Sequence, residues 1–179
     1  MLVPVALLLA ASLQAQHPAP AALPNLSDPE VAHVAVSANA IDVDLATYAQ
    51  ARTRTSAVRQ FAQTMISDHT AVNAQAAALA KKLGVTPADN AVSRSLLNGA
   101  ADARKTLEPL QGVAFDRAYM DREVGYHQAV LDAIDQLLVP TTENAELKQL
   151  LVDVRPAIAA HLEHARQIRA QLGGADAGK

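Results

Sequence analysis

Three histidines stand where an amphipathic helix would carry leucine. His69 interrupts an apolar stripe between Met65 and Val72, and His161 interrupts another between Ile158 and Ala165. His127 follows Tyr126 and lies one turn before Val130 and Leu131. Carboxylates accompany them. Asp42 sits between Ala38 and Leu45 at the edge of a buried face, and Glu123 lies four residues before His127 on the same helix face. Asp68 precedes His69 and shares a face with Met65 and Val72. The chain has six histidines and no cysteine. Thiolate catalysis, disulfides and Cys-ligated metals are therefore excluded, and imidazole is the soft ligand available.

Burying such groups costs several kcal/mol unless each finds a partner. Two arrangements meet that cost: a hydrogen-bonded His–carboxylate network, or a bound ion. Imidazole with carboxylate suits Fe, Zn, Mn, Cu or Ni. The candidate ligands are His69, His127 and His161, with Asp42 or Glu123 as the carboxylate. Asp68 is a candidate hydrogen-bond partner behind them, and His164, one turn beyond His161, is another. A lone histidine on an apolar face is usually a satisfied core residue. Three from three helices, with an acid from a fourth, form a layer that a metal ion or a register-fixing polar network would both explain. Glu30-Val31-Ala32-His33 has the Glu-x-x-His spacing of di-iron helices but falls at a helix start, so it is set aside with His17. No phosphate-binding loop, Gly-x-Ser-x-Gly or His-Glu-x-x-His is present, and no catalytic residue is assigned.

The elements that must position this layer are helical. Half of the 179 residues are hydrophobic, only 3% are aromatic, and alanine, the best helix former, is abundant. The fold class is all-α. The first helix is expected from about Pro29 to Arg54, with Val31, Val34, Ala38, Ile41, Leu45 and Tyr48 on its buried face. The second runs from Ser56 to Leu83, with a stripe of Val58, Phe61, Met65, Val72, Ala76, Leu79 and Leu83, and stops at Gly84. Ala88–Glu108 reads as a short extra helix in the crossover between helices two and three. The third long helix spans about Val113 to Leu138 and ends at Pro140; the fourth starts near Thr142, and Pro156 should kink or restart it. Asp42 lies twelve residues before Arg54 and His69 thirteen after Ser56. In an antiparallel hairpin these side chains reach nearly one level.

The formal charge of −3 excludes a basic nucleic-acid binder. The run Val5–Ala11 is too short to span a bilayer and suits a secretory signal peptide over 1–15, followed by a Pro-rich linker over 16–28. The bundle then occupies 29–172 and a disordered tail 173–179. The chain is expected in the periplasm or secreted, with no transmembrane span after signal removal. A homo-oligomer is compatible with such a bundle, and no protein partner is legible.

Several runs resemble the "domain of unknown function 4142" family. They are Asp42-Val-Asp-Leu-Ala-Thr-Tyr-Ala49, Val58-Arg-Gln-Phe-Ala-Gln-Thr-Met-Ile-Ser-Asp-His-Thr70, Gly112-Val-Ala-Phe-Asp-Arg-Ala-Tyr119, Val124-Gly-Tyr-His-Gln128 and Pro156-Ala-Ile-Ala-Ala-His-Leu162. The likeness covers about Pro29 to Leu172. It implies a ferritin-like four-helix bundle exported to the bacterial periplasm. The family's recurrent polar positions fall on Asp68, His69, Asp116, Tyr119, His127 and His161, which adds Asp116 and Tyr119 as hydrogen-bond partners behind the ligands. Asp42 stands where the family commonly has glutamate. The chain lacks the paired Glu-x-x-His motifs of di-iron bundles, so a single-ion site is expected, serving metal handling or protection against oxidants. The alternative is a metal-free periplasmic stress or structural protein that works through its surface.

Overall fold

The chain enters its first helix through a reciprocal cap. Glu30 accepts the backbone N–H and the hydroxyl of Ser27 at 2.9 and 2.7 Å, and Pro29 sits in the first turn, where its missing N–H costs nothing. In this computed structural model residues 23–174 are described. The expected signal peptide, linker residues 16–22 and tail residues 175–179 lie outside them. Helix α1 is Asp28–Arg52, α2 is Ser56–Leu83, α3 is Ala91–Leu107 and α4 is Gly112–Ala133. Helix α5 is Ala145–Gly174. Among the described residues the regular structure is entirely helical.

Helices α1 and α2 form one antiparallel hairpin and α4 and α5 the other. The crossover segment with α3 returns the chain along α1, so that α4 runs parallel to α2. Backbone and side-chain ties hold the two ends. At one end both oxygens of Asp28 accept backbone N–H groups, from Glu143 and Asn144, at 2.9 Å each. At the other, Arg117 donates to the Leu172 carbonyl at 2.6 and 3.0 Å, and Arg52 donates to the carbonyls of Glu108 and Leu110 at 2.9 and 3.1 Å. The expected ferritin-like four-helix bundle, with a short helix in the crossover, is the observed architecture.

Three local expectations change. The chain does not stop being helical at Pro140. The α4 helix widens into a π segment over Ile134–Leu138 and finishes with a turn at Val139–Thr141. The Val139 N–H bonds the Ile134 carbonyl, which shifts the register ahead of a residue that cannot donate. Helix α5 starts at Ala145, because the Asn144 side chain accepts from Glu146 and Leu147 N–H at 3.0 Å each. Pro156 neither ends nor restarts α5. It and Val152, whose carbonyl it leaves without a helical donor, are both on the exposed side of the helix. The α2 stripe also departs from expectation. Burial follows it only from Val58 to His69; Val72, Ala76, Leu79 and Leu83 are half-buried.

Candidate metal centre

Each long helix delivers its polar residue to one level. Asp42 of α1, Glu123 and His127 of α4, His69 of α2 and His161 of α5 are all buried. The ring centroids of the three histidines are 5.3, 5.5 and 5.8 Å apart. One ligand atom from each ring lies within 4.8 Å of those of the other two, and the same holds for Asp42, Glu123 and His127.

The outer hydrogen bonds determine which atoms point inward. His127 Nδ1 meets the Glu123 carbonyl at 3.0 Å, and a carbonyl only accepts. The proton is therefore on Nδ1 and the lone pair on Nε2. His161 Nε2 meets the Asp68 carboxylate at 3.0 Å, leaving its lone pair on Nδ1. His69 Nδ1 meets Asn39 Oδ1 at 2.7 Å, leaving its lone pair on Nε2. Arg122 donates to Asp42 Oδ1 and Glu123 Oε1 at 2.7 and 2.6 Å. In every residue the remaining atom is buried without a hydrogen-bond partner: Asp42 Oδ2, His69 Nε2, Glu123 Oε2, His127 Nε2 and His161 Nδ1. His69 Nε2 stands 3.0 Å from Asp42 Oδ2, and His127 Nε2 stands 3.8 Å from the same oxygen. Two lone pairs facing at that distance repel unless a proton or a cation lies between them.

Electrostatics divides the two acids. Burial would raise the Asp42 carboxyl, but the His69 contact and the Arg122 guanidinium outweigh it and hold the group below the usual carboxylate range. Burial and the neighbouring Asp42 charge push Glu123 well above that range, against the pull of Arg122. Burial lowers His127 to about 4, with Asp42 opposing. Burial also lowers His161, with Asp68 opposing. Near neutral pH the ionised Asp42 and Arg122 thus cancel, His127 and His161 are uncharged, and burial biases Glu123 toward its neutral form.

Other expected residues lie elsewhere. Asp68 stands behind His161, as its position implies. Tyr119 is buried one turn from Glu123, with its hydroxyl unpartnered and its acidity suppressed chiefly by burial. Asp116 is near the far end of the bundle, where it accepts the Thr55 hydroxyl at 2.5 Å at the start of α2. His164 is exposed and lays its ring against Phe61 at 5.5 Å. Glu30 serves the α1 cap, and His33 is half-buried outside the cluster. Sequence reasoning missed Asn39 and Arg122. Asn39 lies three residues before Asp42 on the same face of α1, a signal that was available. Arg122 gave none, since its helical position is that of an ordinary surface cation; its guanidinium is held 3.8 Å over the Tyr126 ring.

An all-helical antiparallel bundle with a buried imidazole and carboxylate layer at mid-length is the class that fold and site define. The profile of Domain of unknown function (DUF4142) matches residues 12–168, and the chain belongs to that family. Among solved structures the chain is similar to CopM in the Cu(II)-bound form, with a TM-score of 0.62 and 14% identity. The match covers 82% of this chain and 98% of that one, and at this identity it is a likeness of fold. No curated protein matches the chain. Among the described residues no helix is long and apolar enough to cross a membrane.

Proposed function

We propose that the chain binds one transition-metal ion between His69 Nε2, His127 Nε2, His161 Nδ1 and Asp42 Oδ2, as an exported metal-handling or oxidant-protection protein. One observation carries the reading: four inward donor atoms are bare, while the opposite atom of each residue is held from behind by Asn39, the Glu123 carbonyl, Asp68 or Arg122. That is the arrangement that orients ligands and sets their tautomers. A bound divalent ion would supply the positive charge that the Asp42–His69 approach lacks. Three imidazoles and a carboxylate bind divalent metals most tightly at copper in the usual affinity order, and the structurally similar CopM is a Cu(II)-bound protein. Arg122 argues against a second ion, because its guanidinium already occupies the opposite side of Asp42 and Glu123.

The test is titration of untagged protein with Cu(II), Zn(II), Ni(II), Mn(II) and Fe(II). The expected result is one ion per chain, tightest for copper, and a loss of roughly 100-fold or more in affinity for His127→Ala. Substoichiometric loading with every metal, or unchanged affinity in His127→Ala, would overturn the reading. A second reading has its own support. The Asp42 and Arg122 charges already cancel without an ion, so a proton between His69 and Asp42 could complete a metal-free layer that only sets helix register. It predicts that His69→Leu folds with equal or higher stability and that no metal raises the melting temperature of the wild type.

A further inference from the structure

Between the metal layer and the Asp28 end of the bundle lies a cavity of about 390 Å³, within the size range of small-molecule pockets. Its origin is a mismatch of side-chain volume. Ala35 of α1 and Ala76 and Ala80 of α2 face Leu147, Leu151 and Val154 of α5 across the gap, and the α2 residues beyond His69 are nowhere fully buried. Asn39 closes the inner wall, and it is the residue that holds His69. Lining residues on α1 run from Asp28 to Asn39, roughly 16 Å at 1.5 Å per residue. The lining is therefore apolar over a length suited to a medium-length alkyl chain.

Among the described residues the mouth carries one cation without an ion-pair partner, beside the Asp28 carboxylate, whose oxygens face backbone N–H groups. Lys82 is paired with Glu146. Lys81 lines the opening, is exposed, and has no ion-pair partner among the described residues. We propose that this cavity binds a single-chain fatty acid, its alkyl chain directed toward Asn39 and its carboxylate at the Lys81 ammonium. A deep apolar slot with a lone cation at the rim complements an anionic amphiphile better than a neutral one. The site borders the metal layer but uses none of its ligands.

The test is calorimetric titration of the full chain with dodecanoate below its micelle concentration, with dodecanol as the uncharged comparison. One dodecanoate is expected per chain. Ala76→Phe, which fills the slot, should weaken binding by roughly tenfold or more while helicity is retained. Ala35→Leu serves the same purpose should Ala76→Phe fail to fold. Lys81→Gln should weaken dodecanoate by roughly 5-fold and leave dodecanol unchanged. His69→Ala should leave dodecanoate binding intact, which separates this site from the metal reading. Absence of saturable binding overturns the proposal. So does full affinity in a folded cavity-filling variant, or dodecanol binding as tightly as dodecanoate.

Discussion

The two halves of the bundle, on either side of the histidine layer, share four helices and are filled differently. Toward Arg52 the core includes Phe61, Phe115 and Tyr119, with Tyr48 and Tyr126 packed beside them. These are all five aromatic residues of the chain, which has two Phe and three Tyr. The rings of Tyr48, Phe61, Phe115 and Tyr119 contact edge-on or stacked at 6.0 to 6.4 Å between centroids. Toward Asp28 the core is leucine, isoleucine, valine and alanine, and the cavity remains. Alanine makes helices readily but fills little space. In an alanine-rich bundle the few rings therefore decide which half is solid, and the polar layer lies at the boundary.

Truncation on the two sides should separate them most. Phe61→Ala removes a fully buried ring that meets both Tyr119 and His127, and should cost about 3–5 kcal/mol in urea denaturation. Ile158→Ala borders the existing cavity and should fall near about 2 kcal/mol, the low end for such changes. Equal costs would refute the contrast between a solid half and a hollow one. At the boundary, Arg122→Met leaves the buried Asp42 charge without its guanidinium and should cost about 3 kcal/mol; a neutral result would show that Asp42 is not ionised in the fold.

The next effect is a pH dependence with opposing signs. His127 titrates near 4 in the fold against 6.5 outside it. Its contribution is intact above about 6.5 and is lost as the pH falls toward 4, up to about 3 kcal/mol. Glu123 is raised above its ordinary 4.5, so its contribution is present below that value and is lost as the pH rises. The two partly cancel in the wild type. Glu123→Gln, which keeps the acceptor for Arg122, should be more stable than the wild type at pH 8 and should lose stability more steeply on acidification. Parallel stability curves for the two proteins, measured without metal, would contradict the assignment of a neutral Glu123. The smallest effect belongs to the surface. Arg155→Ala breaks an exposed bidentate pair with Asp135 at 2.7 Å and should change stability by less than about 1 kcal/mol.

Helix identity was legible because it depends on neighbours three and four residues apart. The helices α1 and α2, the Gly84 stop and the short helix after it follow from local spacing alone, although burial of the α2 stripe ends at His69. So did the common height of Asp42 and His69, since rise per residue is constant. Distances along an axis were readable, whereas rotation about it was not. That is why His164, one turn from His161, falls outside the layer, whereas Asp116, eleven residues before His127, is too far along the axis to reach it and serves the start of α2.

The sequence by itself determined an all-α bundle, three histidines in apolar stripes and acids at matching levels, because 3.6-residue periodicity and a fixed rise are local properties. Only the tertiary structure decided that Arg122 turns inward to join Asp42 and Glu123, that Asn39 sets the His69 tautomer, and that the α2 stripe opens into a cavity beyond His69. Those outcomes depend on how far one helix stands from the next and on which side-chain volumes meet across the gap, and no single helix encodes either.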